Sequence, residues 1–438
     1  SPEESPELHD PEEEFARLLR HRDVQILVAA EQLFEDLQKP NPPDEDFLSR
    51  YFPRKLIQET ATLLQEDVDA LTQLLDFLDR PLKNYSLLVS LLHAAKIELV
   101  PEFTLNPVLK FAYLDQIQWS GVNLSTGDLS HADFRKACLA LANLDQVDAQ
   151  NINFRGAVLT GSSMINGKFR NADFSKANCS GVDARGSLFP EAELEGANFN
   201  RAKLRNAHFT STNLKNTILT EANLEEAIFK EVDLENAQFV RANLSLVTLQ
   251  NANLENADFS DANLAGSDLN GLCFRGACFD GANFEHAYLT GCDFEEWQCR
   301  NINFNDAVLK LALMTGSQMT NVSFQGANLQ GARLADISWE GVCLRGADLR
   351  GVTFHMGSSR SGLLFTGLAS EGTRTGFYTD DYEEQSFRSP EEIRKANLCG
   401  ADLRGALLDK VDFYLVDLRG AIYDPAQADH FRRCGAIL

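Results

Sequence analysis

Basic residues are in short supply. The 438 residues carry 40 Lys and Arg against 64 Asp and Glu, a net charge of −24. That balance argues against nucleic acid or an anionic membrane held on a basic surface. The nine cysteines contain no Cys-x-x-Cys pair. An odd number at scattered spacings reads as reduced thiols, hence as a cytoplasmic, reducing compartment, with peripheral association with a membrane complex left open. No apolar run reaches about 18 residues, so no transmembrane span is expected. The opening SPEESPELHDPEEE lacks an apolar segment and does not read as a secretory signal. Glycine and proline, at 28 and 13 copies, are too few for disorder throughout. There is no Gly-rich phosphate loop, HExxH, GxSxG or EF-hand loop, so no catalytic activity, cofactor or metal is expected.

What is present is a repeat. In 191–209, EAELEGANFNRAKLRNAHF, large apolar residues stand at Leu194, Phe199, Leu204 and Phe209, each preceded two places earlier by Ala192, Ala197, Ala202 or Ala207. The spacing of five runs in register from Leu109 to Phe354, which is 50 units, and resumes from Leu398 to Tyr423 for six more. On an α-helix a step of five rotates the apolar residue by about 140°, and on a flat strand every second one faces the wrong way. The pattern works only if the chain turns a corner in every unit. The small and large residues then point inward together, and the other three, rich in Asn, Asp, Gly and charged types, form turns and surface. Such a chain winds into a solenoid in which each coil covers the next.

Units such as HADFR at 131–135, NADFS at 171–175, EANLE at 221–225 and GADLR at 346–350 resemble the A(D/N)LXX signature of the pentapeptide-repeat family. The resemblance spans roughly 109–354 and 396–423. It implies an all-β solenoid: a right-handed, four-sided parallel β-helix with twenty residues per coil and about 14 coils. Steps of twenty align Asn223, Asn243, Asn263, Asn283 and Asn303 in one column, an amide ladder, and Phe189, Phe209 and Phe229 in an inner stack. Cys292 and Cys299 then take interior slots and Cys273 and Cys278 point outward, which disperses an apparent cysteine cluster. Ala149 and Ala184 occupy large slots. Trp297 occupies a small one, where a bulge or a flipped-out ring is expected.

Residues 1–10 read as a disordered acidic tail and 11–108 as an α-helical N-terminal domain, with apolar residues at three- and four-residue spacing. That domain could cap the first coil, dock a partner, or do both. Two β-helix segments, 109–354 and 398–423, flank an insertion at 355–397. Its aromatics Phe365, Phe377, Tyr378, Tyr382 and Phe387 either pack onto the rod or meet a partner. Residues 424–438 read as a capping helix with Asp424 as N-cap, Arg432 and Arg433 in the last turn and Gly435 beyond it.

The functional expectation is a non-catalytic scaffold or adaptor for protein partners of unknown identity, possible in the assembly of a larger complex. Val308, Leu311 and Leu313, beside Trp297, form a candidate docking patch, with scattered harmless exposure as the alternative. The resemblance implies two other roles. Some members mimic DNA and act on type II topoisomerases, but here surface columns such as Lys215, Glu235, Glu255, Arg275 and Glu295 mix signs. Some effectors join the solenoid to a ligase domain, for which this chain has no room.

Overall fold

The computed structural model describes residues 22–38, 52–78, 84–98, 100–103, 106–354 and 396–438. The tail at 1–10 and the five insertion aromatics lie outside them. The chain divides into two compact units, Ser1–Ala177 and Asn178–Leu438.

The first unit joins helices to β-helix coils. Its helices are α1 (Arg22–Leu37), α2 (Arg54–Glu66), α3 (Val68–Leu78) and α4 (Ser86–Ala94). In α2 the buried residues are Ile57, Thr60, Ala61 and Leu64, the i, i+3, i+4, i+7 stripe of an amphipathic helix. In α4 every residue from Ser86 to Leu92 is buried, because this helix lies against the first coil. The open edge of that coil needs partners, and α4 with Tyr85 just before it supplies them. The Tyr85 N–H donates to Val108 O at 2.9 Å, Ser90 Oγ accepts the Tyr113 N–H at 2.9 Å, and His93 Nε2 meets Asp115 O at 2.7 Å. Arg54 on α2 bridges Asp115 and Asp133. Burial pushes the Asp115 carboxyl up, but the Arg54 hydrogen bond and charge, with His93 and Arg135, hold it below the usual carboxylate range.

In both units the coil is built from one local rule. The first coil shows it: Leu109 O accepts the Ala112 N–H at 3.0 Å, and the second of the two residues between them, Phe111, has φ of +60°. A positive φ at the third position is the type II turn, and it recurs at every fifth residue. Successive coils pair in parallel at a spacing of twenty, as in Val108 with Asp128 and Asp128 with Asp148. Four large side chains per coil fill the interior.

In the second unit, β1 (His208–Thr210), β2 (Ile228–Lys230) and β3 (Thr248–Gln250) form one parallel sheet, and β4 (Gln298–Arg300), β5 (Gln318–Thr320) and β6 (Ser338–Glu340) another. The registers are Phe209 with Phe229 with Leu249, and Cys299 with Met319 with Trp339. The rings of Phe189, Phe209 and Phe229 stack at 5.2 and 4.9 Å. The amide ladder runs unbroken from Asn303 to Asn223, each Nδ2 donating to the Oδ1 of the previous coil at 2.9–3.3 Å. Ala184 is fully buried in its large slot, and the backbone pairing between coils continues through it, its N–H donating to Lys203 O at 2.8 Å.

The insertion does not disturb coil order. Ser338 pairs with Asn397, Cys343 with Asp402 and Asp348 with Leu407. The coil resumes at the buried Ala396 on the face that follows Phe354, so the sequence break in the repeat is not a break in the stack. The last coil is closed by α5 (Pro425–Cys434). Gln427 Oε1 accepts the Asp424 N–H, and its Nε2 donates to the carbonyls of Leu403 and Ala406. Asp424 accepts the Gly405 N–H, Phe431 is buried against Phe413, and Gly435 ends the helix at φ of +78°.

Candidate interaction face

The four faces of the second unit are chemically unequal. Face 1 carries β1–β3 and is backed by Phe189, Phe209, Phe229, Leu249, Leu269, Leu289, Leu309 and Leu329. Faces 2, 3 and 4 follow in chain order, backed by residues such as Leu194, Phe199 and Leu204. Large apolar side chains are exposed on or beside face 1: Leu188 (37%), Tyr288 (52%) and Leu407 (49%) on it, Leu246 (53%) at its leading corner and Leu311 (53%) at its trailing corner. The other two strongly exposed large apolar residues among those described in this unit are Ile422 and Leu438, both in the last turns of the chain.

Charge is distributed the opposite way. Between Leu188 and Gly331, face 1 and its trailing corner hold three acids, Glu191, Glu231 and Asp268, and two lysines, Lys230 and Lys310. Face 2 over the matching coils holds nine acids against Lys215, Arg275 and Arg333. Some of the charges elsewhere are tied in pairs along the stack. Lys215 meets Glu235 at 2.8 Å and Asp233 at 3.1 Å, which raises its pKa. Arg201 and Arg241 share Glu221, at 2.8 and 2.7 Å. Arg300 meets Asp280 at 2.7 Å.

The structure gathers three of the patch residues expected from sequence. Val308 is half-buried on face 1, Leu311 turns the corner, and Leu313 is half-buried on face 2. It adds Tyr288, the direct ladder partner of Val308. The signal for Tyr288 was available as a subtraction of twenty. Leu311 is held at φ of +57° and lies over the next coil, where a Cβ on Gly331 would come within 2.9 Å of its Cδ2. Leu246 over Gly266 repeats the device at the other edge of the face.

Trp297 does not belong to this patch. The expected bulge or flipped-out ring is absent: the indole is 4% exposed, inside the solenoid. Its Nε1–H donates to Ala277 O at 3.3 Å, and its ring packs against Phe294 at 5.1 Å and Phe279 at 5.9 Å. Room comes from its own unit, whose large slot holds only Cys299. Large and small have changed places.

No catalytic geometry emerges from the cysteines. Cys179, Cys292 and Cys299 are buried, and burial pushes the Cys292 thiol up to about 12 and the other two higher still. Cys273 and Cys278 are exposed. His430 Nε2 lies 3.7 Å from Cys434 Sγ and 3.2 Å from Val411 O, a contact that docks α5. Among the described residues no three His, Cys, Asp or Glu side chains are grouped to hold a metal ion, and no helix is long and apolar enough to cross a membrane.

Family models match along the repeats. One described as a pentapeptide repeat region matches 162–239, 182–259 and 222–299. One described as pentapeptide repeats in eight copies matches 137–175, 298–336, 317–355 and 393–422. No curated protein matches the sequence. Among solved structures, HetL of the cyanobacterium Nostoc sp. strain PCC 7120, a pentapeptide repeat protein involved in heterocyst differentiation regulation, is 26% identical. That match covers 60% of this chain and 87% of HetL, with a TM-score of 0.16. Full-length QnrB1, a plasmid-mediated fluoroquinolone resistance protein, is 16% identical over 61% of this chain and 98% of its own, with a TM-score of 0.20.

Proposed function

Because the chain belongs to the pentapeptide-repeat family, we propose that it is a non-catalytic scaffold that holds a protein partner on face 1. The observation that carries this reading is the coincidence of exposed apolar side chains with few charges on face 1, beside the strongly acidic face 2. Apolar area surrounded by polar area is the ordinary signature of a protein contact. Tyr288 is its anchor, since aromatic residues dominate such contacts, and Val308, Leu311 and Leu313 surround it.

A DNA-mimic role needs sustained negative charge facing outward. Lys215, Arg201, Arg241 and Arg300, each paired across coils with an acid, interrupt the acidic columns with positive charge, so this second reading is weaker here. The test is affinity capture from the native host with the full chain, with Tyr288→Lys, with a face-3 control, Gln318→Lys, and with 355–397 deleted. Loss of a specific partner with Tyr288→Lys alone supports the face. Loss only with the deletion moves the contact to the insertion. Retention of a topoisomerase that DNA competes off would install the mimic reading.

A further inference from the structure

We propose that the acidic leading segment of this chain, residues 1–14, docks on the first unit, along the face of Cys138 and Val158 and the basic corner that precedes it. The contact is independent of the reading of face 1. In a chain of net charge −24, residues 134–177 hold six Lys and Arg against three acids. Four of the six, Arg135, Lys136, Arg155 and Lys176, stand exposed at one corner of successive coils. Arg135 is held by Asp133. The side chains of Lys136, Arg155 and Lys176 have no ion-pair or hydrogen-bond partner among the described residues. The stem of Lys136 lies over the next coil, where a Cβ on Gly156 would sit 3.5 Å from its Cγ. The face that follows this corner carries no charge. Gln118, Cys138 and Val158 form its outward column. Leu141, 73% exposed, stands at its far corner, and Val158 is 37% exposed.

Such a surface fits an acidic segment with a narrow apolar side, and the chain supplies one. Residues 1–14, SPEESPELHDPEEE, hold seven acids and no Lys or Arg. Pro2, Pro6 and Pro11 favour an extended, polyproline-type chain, in which residues three apart share a side at a spacing of about 9.3 Å. Glu4, Glu7, Asp10 and Glu13 follow that step of three. Lys136 and Lys176 are two coils apart, which is about 9.6 Å at ~4.8 Å per coil, and Arg155 lies on the coil between them. An acidic side in register with the basic corner leaves Ser5, Leu8 and Pro11 on the adjoining side, toward Val158 and Leu141. The tether is long enough. The 21 residues before Arg22 extend to about 70 Å, against about 24 Å for the whole of α1. α1 packs on α2, whose Arg54 holds Asp133 beside this corner.

Cys138 lies on the proposed footprint, so its alkylation by iodoacetamide, read peptide by peptide by mass spectrometry on the full chain, measures cover. The exposed Cys278 of the second unit is the internal control. Three screened charge pairs are together worth about a tenfold protection. Lys136→Glu with Arg155→Glu and Lys176→Glu should therefore speed reaction at Cys138 by about tenfold and leave Cys278 and the melting profile unchanged. Loss of cations beside a thiol by itself slows alkylation, so a faster rate reports uncovering. Neutralising the segment, with Glu4→Gln, Glu7→Gln, Asp10→Asn and Glu13→Gln, should speed Cys138 equally without touching the coils. Salt at about 0.5 M should do the same to the unaltered chain by screening. Changing those four acids to Lys in the triple-Glu chain should restore the slow rate. A Cys138 rate that ignores either the segment variant or the corner variant overturns the proposal, and so does a charge exchange that fails to restore protection.

Discussion

Trp297 shows how a residue is placed by its neighbours more than by its slot. Judged alone, an indole in a position that takes Ala in most coils is too large. Judged with Cys299 two residues on, the unit conserves interior volume, and the indole N–H finds a carbonyl in the coil before. Protein interiors penalise both a void and an excess of a single methylene, so the two positions should be strongly coupled. Trp297→Ala should cost about 3–5 kcal/mol by opening a cavity. Cys299→Phe should cost about 1–3 kcal/mol by overpacking. The double variant, which restores the ordinary Ala-x-Phe unit, should be more stable than the sum of the two losses predicts. Urea unfolding of the four proteins measures this, and strict additivity would show that the pair is not a volume exchange.

At the scale of elements, each coil is held by its neighbours, and the amide ladder is the clearest case. Asn263 donates to Asn243 and accepts from Asn283, both at 3.1 Å, and its Oδ1 also accepts the Ala265 N–H at 3.3 Å. Asn263→Ala leaves partners on both sides unsatisfied and should cost about 1–3 kcal/mol. Asn303→Ala, at the ladder end, should cost less, and thermal melts of the two variants decide the order. The ladder, the phenylalanine stack and the repeat were legible in the sequence because a period of five constrains backbone and side chain together, and steps of twenty then expose each column. Two things were not legible. The inserted residues hid the continuity of pairing from Ser338 to Asn397, because a coil is closed by hydrogen bonds and not by residue count. The candidate face was seen only in part, as Val308, Leu311 and Leu313. An exposed residue such as Leu188 or Leu246 means little until all coils are overlaid, and Tyr288 lies twenty positions from the residue it touches.

For the whole molecule the question is how an acidic chain stays folded, and acid titration answers it. Several Asp residues are held below the usual range by an arginine two residues on in the same coil. Asp348, Asp402 and Asp417 are hydrogen-bonded by Arg350, Arg404 and Arg419, the last bringing Asp417 to about 2. A carboxyl whose pKa is depressed on folding contributes stability that is fully present above its unfolded value, about 3.9. That contribution is lost as pH falls through the folded value. The window is therefore about pH 4 down to about 2. Asp115 belongs to the same class, through Arg54. Each surface pair is worth little because the guanidinium is largely in water, so the effect should be gradual. Approaching the pI of about 4.7 from neutral pH acts in the other direction, since net repulsion declines. The melting temperature should hold or rise from pH 7 to about 5, then fall between about 4 and 2. Arg419→Ala should bring the Asp417 part of that fall back toward the ordinary carboxylate range while leaving the neutral-pH melt nearly unchanged. A pH series of thermal melts on the two proteins, with identical acid limbs, would show that this pair does not contribute to stability.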